Sequence, residues 1–220
     1  MLSIEQRRSA MTVKRRFTRA GRATTIYEDS LVVKEFFASE PHKQEWLVEH
    51  DTIQCLSKAG VAVPKSYGYF SDEHRAAIYK EFVPGKVPDN YDVFAERLAQ
   101  LFVAIHEAMV ITRDAHGDNV IVTDAGELMF IDFGKARIFK SRNVLYWATL
   151  IREHFFIKSK MLKNNNTYKR FLGFYLKHAD YGNPQLLKVA IIIGNTVLQW
   201  RDCLRHRRRH SNPGDSNPAD

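Results

Sequence analysis

The first part of the chain alternates rather than turning with helical period. Phe17-Thr18-Arg19, Thr24-Thr25-Ile26-Tyr27 and Leu31-Val32-Val33-Lys34-Glu35-Phe36-Phe37 are short β-branched and aromatic runs that predict strands, with Glu28-Asp29-Ser30 as the turn between the last two. After Pro41 the period becomes helical and holds to Gly60, which is placed just past the helix end. On that helix Trp46, Glu49, Ile53 and Leu56 share one stripe, so a carboxylate falls among apolar residues and requires a cationic partner. Val61-Ala62-Val63-Pro64 and the run 76–83 predict two further strands, for a five-stranded sheet with one helix. Pro84-Gly85 breaks the pattern and marks a boundary. A helix over 91–109 follows, with Phe94, Leu98, Leu101, Phe102, Ile105 and Met109 on one face. Residues 143–206 predict two or three aromatic-rich helices, divided by Lys163-Asn164-Asn165-Asn166 and Gly182-Asn183-Pro184. No repeat is visible, and 1–12 and 211–220 are expected to be disordered.

This order predicts an α+β fold of two lobes: a small antiparallel β lobe with one helix over 1–83, a compact and mainly helical lobe over 84–210, and a tail over 211–220. Composition agrees with a globular protein, at 45% hydrophobic and 26% charged over 220 residues. Two cysteines, Cys55 and Cys203, form neither a disulfide framework nor a metal motif, so a reduced, cytoplasmic compartment is expected. The basic first twenty residues lack the apolar core of a secretory signal. The greasiest stretch, 98–111, is interrupted by Gln100, His106 and Glu107 and falls short of the ~18–20 apolar residues a bilayer span needs. The net charge of +8 favours a polyanionic partner, with a solvated basic surface as the plainer explanation.

The chemistry concentrates in the middle. Thr112-Arg113-Asp114-Ala115-His116-Gly117-Asp118-Asn119 precedes the strand-like Val120-Ile121-Val122, and Leu128-Met129-Phe130-Ile131 leads into Asp132-Phe133-Gly134. An Asp five residues before an Asn, then a hairpin ending in Asp-Phe-Gly, is the arrangement phosphoryl transfer needs. Asp114 is the candidate base for an acceptor hydroxyl, while Asn119 and Asp132 are candidate hard-oxygen ligands for Mg²⁺. His116 is the second candidate catalytic residue, able to touch the transferred phosphate or the acceptor, or else to bond within its own loop. Arg113 and Asp118 are read as structural.

Upstream, Lys34 follows Leu31-Val32-Val33 in a strand, where its ammonium can reach nucleotide phosphates. Glu49 is its expected ion-pair partner, with Glu45 one turn earlier as the competitor. Glu81-Phe82-Val83 is expected to offer backbone groups to adenine, or to be an edge strand only. The phosphate loop is thin: Gly21 is its single glycine, with Arg22 or Thr24 as further contacts. The basic run 201–210 either complements a helix C-terminus or meets anionic lipid, together with Lys14, Arg15, Arg16, Arg19 and Arg22.

From Phe17 through Ile138 these residues resemble the protein-kinase-like superfamily. The Asp114-Ala115-His116 start of the loop, the Lys34-Glu35-Phe36-Phe37 strand end and the basic, aromatic C-terminal part are similar to bacterial lipopolysaccharide core heptose kinases. The resemblance implies ATP and Mg²⁺, Lys34, Asp114, Asn119 and Asp132 in the family's roles, and a glycolipid heptose as acceptor at the inner face of the cytoplasmic membrane. Nucleic acid is not among the expected partners. No Ala-Pro-Glu stretch follows Asp132, which argues against a peptide-docking platform. A minimal Ser/Thr protein kinase of the RIO type, or of the type serving a tRNA-modifying complex, is the alternative. A nucleotide-binding pseudokinase is the alternative of another class.

Overall fold

The computed structural model describes residues 12–19, 21–27, 30–37, 44–181 and 183–210, with backbone only for Arg19 and for 205–210. The expected turn residues Glu28 and Asp29, and most of the two terminal segments expected to be disordered, lie outside the described residues. Five antiparallel strands make the first sheet: β1 (Val13–Arg19), β2 (Arg22–Tyr27), β3 (Leu31–Phe37), β4 (Ser66–Ser71) and β5 (Arg75–Glu81), in the order β1-β2-β3-β5-β4. The helix α1 (Glu45–Lys58) packs on one face, and Gly60 leaves it with φ 76, a backbone that favours glycine.

Pairing of β3 with β5 sets which side chains meet α1. Val32 faces Lys80, Lys34 faces Ile78 and Phe36 faces Ala76, so the two-residue period puts all six on one face. Leu31, Val33, Ala77 and Tyr79 go to the other face and cluster with Tyr27. Both faces are therefore covered, and β3 is buried from Leu31 to Phe36.

One expected strand is misplaced. The segment 61–64 forms no strand; the fourth strand is β4, five residues later. Val61 is drawn into the core beneath α1 and Pro64 lines a pocket, so this segment crosses from helix to sheet without pairing. β4 escaped notice because Ser-Tyr-Gly-Tyr-Phe-Ser has no apolar face: Tyr67 and Tyr69 are exposed.

The rest is mainly helical. A short β6 (Gly85–Lys86) joins β8 (Val120–Thr123) and β9 (Leu128–Phe130) in a second sheet, and β7 (Val110–Ile111) pairs with β10 (Arg137–Ile138). The helices are α2 (Ala95–Glu107), α3 (Val144–Phe156, continued as a wider turn through Ile157–Met161), α4 (Asn165–His178) and α5 (Pro184–His210). α2 begins four residues later than its apolar pattern suggested, because 91–94 forms a turn against α2 through Phe94 and Ala95 N–H bonds to Tyr91 and Asp92 carbonyls. Its buried face, Leu98, Leu101, Phe102 and Ile105, meets α4 through an edge-on Phe102–Phe171 pair at 6.0 Å.

Gly85 sits where β6 crosses β8 so closely that a Cβ would stand 2.5 Å from the Val122 carbonyl oxygen. Gly85→Ala is expected to cost about 1–3 kcal/mol in denaturant unfolding, because backbone rather than a movable side chain must give way.

Candidate active site

The β8–β9 hairpin does the placing. Val120 pairs with Phe130, and the Ile131 N–H continues the ladder to the Asn119 carbonyl at 2.9 Å, so Asn119 and Asp132 emerge side by side. Phe133 is buried against Phe130, with centroids 5.1 Å apart, while Asp132 turns the other way. Asp114, His116, Asp118, Asn119, Asp132 and Lys34 all line one cleft of about 510 Å³, which Phe17, Thr18, Arg22 and Thr24 of the β1–β2 hairpin roof over.

Lys34 donates to Glu49 at 2.9 Å and to Asp132 at 2.9 Å. Glu49 is fully buried. The competitor Glu45 instead pairs with Arg22 at 2.8 Å. Burial opposes the Lys34 charge, yet the Glu49 and Asp132 carboxylates outweigh it and hold the ammonium above the ordinary lysine value. Burial likewise opposes ionisation of Asp132, but Lys34, Lys80 and the Gly134 N–H hold its carboxyl well below the usual carboxylate range. A depressed acid adds stability present above about pH 4 and lost only as pH falls through its folded value. A raised lysine adds stability present below about pH 10 and lost as pH rises past that. The pair is therefore charged throughout the neutral range.

Sequence reasoning missed a second lysine. Lys80 donates to the other Glu49 oxygen at 2.5 Å and to the Ile131 carbonyl at 2.7 Å. It thereby ties α1, β5 and the residue before Asp132 into one unit. Only the strand register could have revealed it, since Lys80 and Lys34 share a face through β3–β5 pairing. Lys34, Lys80, Glu49 and Asp132 form a neutral quartet. Lys80→Met leaves one negative charge in excess, and the expected result is a loss of roughly 3 kcal/mol in unfolding, the low end for a broken buried pair because Glu49 keeps Lys34.

Around Asp114 the partners are Lys135 at 2.9 Å on Oδ2 and His116 Nε2 at 3.3 Å from Oδ1. Lys160 Nζ stands 3.4 Å from the same His116 nitrogen. The Asn119 side-chain amide donates to the Asp114 carbonyl at 2.8 Å, which fixes its amide oxygen as the free end. Gly117 accepts a 2.7 Å bond from Tyr91, and the Tyr91 hydroxyl is pushed up to about 12 by burial and by Asp118.

A second anchor, also missed, lies beneath this loop. Glu153 accepts from the Thr112 hydroxyl and from the Arg113 N–H at 2.8 Å, and its other oxygen lies 2.7 Å from His106 Nε2. Tyr146, Leu150, Glu153 and Ile157 recur at helical spacing and are all buried, so Glu153 sits on an apolar stripe as Glu49 does. Arg113 takes φ 59 at this anchor.

Glu81 and Val83 line an adjoining pocket of about 290 Å³ with Ile26, Val32, Ile121 and Ile131, into which both lysines also reach. Gly21 is apart from these lining residues. It has φ 68, and β1–β2 pairing continues to Arg19 opposite Arg22, so the strands stay paired right up to this candidate phosphate loop. Among the described residues no cluster of three or more His, Cys, Asp or Glu side chains suits a metal on its own. Asn119 and Asp132 do fit magnesium as a pair of hard oxygens facing one cleft, a set that leaves room for phosphate and water ligands.

No family model matches the chain. It is 27% identical over 159 residues to mitogen-activated protein kinase kinase kinase 19 of Homo sapiens, which takes in 67% of this chain. It is 21% identical over 186 residues to the Rho-associated protein kinase let-502 of Caenorhabditis briggsae, over 80% of this chain. The chain spans only 11% and 15% of the lengths of these curated relatives. Among solved structures, a 2.2 Å crystal structure of WbdD superposes with a TM-score of 0.53 at 14% identity, over 84% of this chain and 50% of that one. A co-crystal structure of WbdD with the kinase inhibitor LY294002 gives 0.54 at 16% identity, over 84% and 45%. At these identities the structural likeness is one of fold.

Proposed function

We propose that this chain, related by its fold to the protein-kinase-like superfamily, is a kinase that moves the γ-phosphate of ATP to an alcohol. One observation carries the reading: Asp114 opens onto the same cleft as Lys34, Asn119 and Asp132. In this reading the adenine lies in the pocket beside Glu81 and Val83, and Lys34 meets the phosphates. Magnesium, held by Asn119 and Asp132, would supply neutralisation of phosphate charge. Asp114 orients the acceptor hydroxyl and takes its proton, and Lys135 on Asp114 Oδ2 leaves Oδ1 and His116 toward the incoming group.

The acceptor we propose is a heptose of the lipopolysaccharide inner core, met at the inner face of the cytoplasmic membrane. Two features support an anionic glycan. Lys135, Lys160 and His116 gather cationic or proton-bearing groups beside Asp114. The link from Gly134 to α3 is short and contains only β10, which leaves little chain to cradle a peptide. The protein kinases among the sequence relatives favour a second reading, a minimal Ser/Thr kinase. The pairing of β1 with β2 up to Arg19 and Arg22, together with the single glycine of the candidate phosphate loop, favours a third, a nucleotide-binding pseudokinase.

Purified protein with Mg-ATP separates them. Phosphate appearing on heptose of dephosphorylated core glycolipid, located by mass spectrometry, and not on casein is the expected result. Transfer to casein alone would replace the glycan with a protein acceptor. Nucleotide binding without turnover on either would leave the pseudokinase.

A further inference from the structure

The last helix carries a face that the transfer chemistry does not use. α5 packs inward through buried Leu187 and Ile191, through an Asn195 amide that donates to the Tyr168 hydroxyl at 3.0 Å, and through Gly194, where an added Cβ would collide with Ile151. These contacts fix its rotation. The opposite side bears Leu186, Val189, Ile193, Val197, Trp200 and Leu204, all exposed, with Leu186 at 69% and Trp200 at 67%. Their spacing of three or four residues at each step confines them to an arc of about 80° along about 27 Å of helix. A run of this size on the surface of a soluble fold marks a contact.

Charge says which contact. Lys188 and Arg201 lie on the same helix, the sequence goes on through Arg205, Arg207, Arg208 and Arg209, and Asp202 is the only acidic residue between 184 and 210. We infer that this face of α5 docks on an anionic phospholipid bilayer, lying in the headgroup plane with the apolar stripe inserted and Arg201 on the phosphates. Trp200, near the basic end, suits the boundary between acyl chains and headgroups. A second copy of the chain is a poorer occupant. Paired helices want opposite charges beside the seam, and here either antiparallel or parallel pairing sets basic groups against a helix nearly without acids. No helix among the described residues is long and apolar enough to cross a membrane, so the helix lies on the surface rather than spanning it.

The test needs no acceptor and no turnover, so it stands or fails separately from the kinase reading. Full-length protein is sedimented with vesicles of phosphatidylethanolamine and phosphatidylglycerol, and with phosphatidylcholine alone. The expected result is binding to the anionic vesicles at least tenfold tighter than to the neutral ones, with a blue shift in tryptophan emission that Trp200→Phe abolishes. Ile193→Ser with Trp200→Ser should weaken binding at least tenfold while nucleotide affinity stays unchanged. Leu186→Ser with Val189→Ser, at the other end of the stripe, should weaken it in the same direction. Equal binding by both double variants and the wild-type protein would overturn the inference, leaving only a basic tail. So would absence of binding to either vesicle, or a dimer in sedimentation equilibrium that Ile193→Ser dissolves.

Discussion

Replacing Asp114 by alanine is expected to lower turnover by about 10²–10⁴-fold while leaving nucleotide affinity close to that of the wild-type protein. The split follows from geometry. Asp114 makes its contacts with Lys135, His116 and, through its carbonyl, Asn119, and Lys34, proposed to meet the phosphates, pairs instead with Glu49 and Asp132. In the proposed reaction, removing its carboxylate takes away the group that would orient the acceptor and receive its proton, and it frees Lys135. Asp114→Asn keeps an oxygen for Lys135 but cannot take the proton, so it should fall nearly as far. The measurement is kcat alongside a separately titrated nucleotide Kd. A kcat within threefold of wild type in both variants would remove Asp114 from the chemistry.

The second large effect is expected at Glu153, outside the cleft. Its side chain is wholly buried and serves three donors or partners at once: the Thr112 hydroxyl, the Arg113 N–H and His106. His106 is held in turn by the Tyr175 hydroxyl at 2.7 Å, and its carbonyl accepts from Tyr146 at 3.1 Å. Truncation to alanine strands all of these in the interior, where an unmet polar group has no water to turn to. Roughly 3–5 kcal/mol of stability should be lost, a large part of the 5–15 kcal/mol that a typical domain has. Since Arg113 immediately precedes Asp114, the folded fraction should also lose kcat more than nucleotide affinity. Glu153→Gln, with the same shape and one remaining acceptor oxygen, should recover part of both. Chemical denaturation and initial-rate kinetics on the three proteins check this, and an alanine variant as stable as wild type would contradict it.

How much of this was legible from sequence depended on whether a residue declared itself within its own element. Glu49 did so: a carboxylate on an apolar helical stripe must find a cation, and Lys34 is that cation at 2.9 Å. Glu153 carries the same signature on α3, but a helix region bounded only as 143–206 does not fix which face is inward. Lys80 is different in kind. Nothing within β5 distinguishes it from a surface lysine until β5 is paired with β3 and the period of two carries it to α1. The misplaced fourth strand has the same origin. The strong β-formers of 61–64 are consumed by a crossing segment, while the weaker Ser-Tyr-Gly pattern of β4 is recruited by backbone pairing to β5. The oxygen-bearing residues of the cleft were easy because one loop and one hairpin carry Asp114, Asn119 and Asp132.

Everything proposed about transfer rests on nucleotide and divalent ion meeting between Lys34, Asn119 and Asp132. Calorimetric titration of ATP into the protein, with and without Mg²⁺, and again with Asp132→Asn, tests it most directly. Binding that Mg²⁺ strengthens in the wild-type protein, and that loses this dependence in Asp132→Asn, is the predicted result. ATP affinity indifferent to both the ion and the substitution would contradict it.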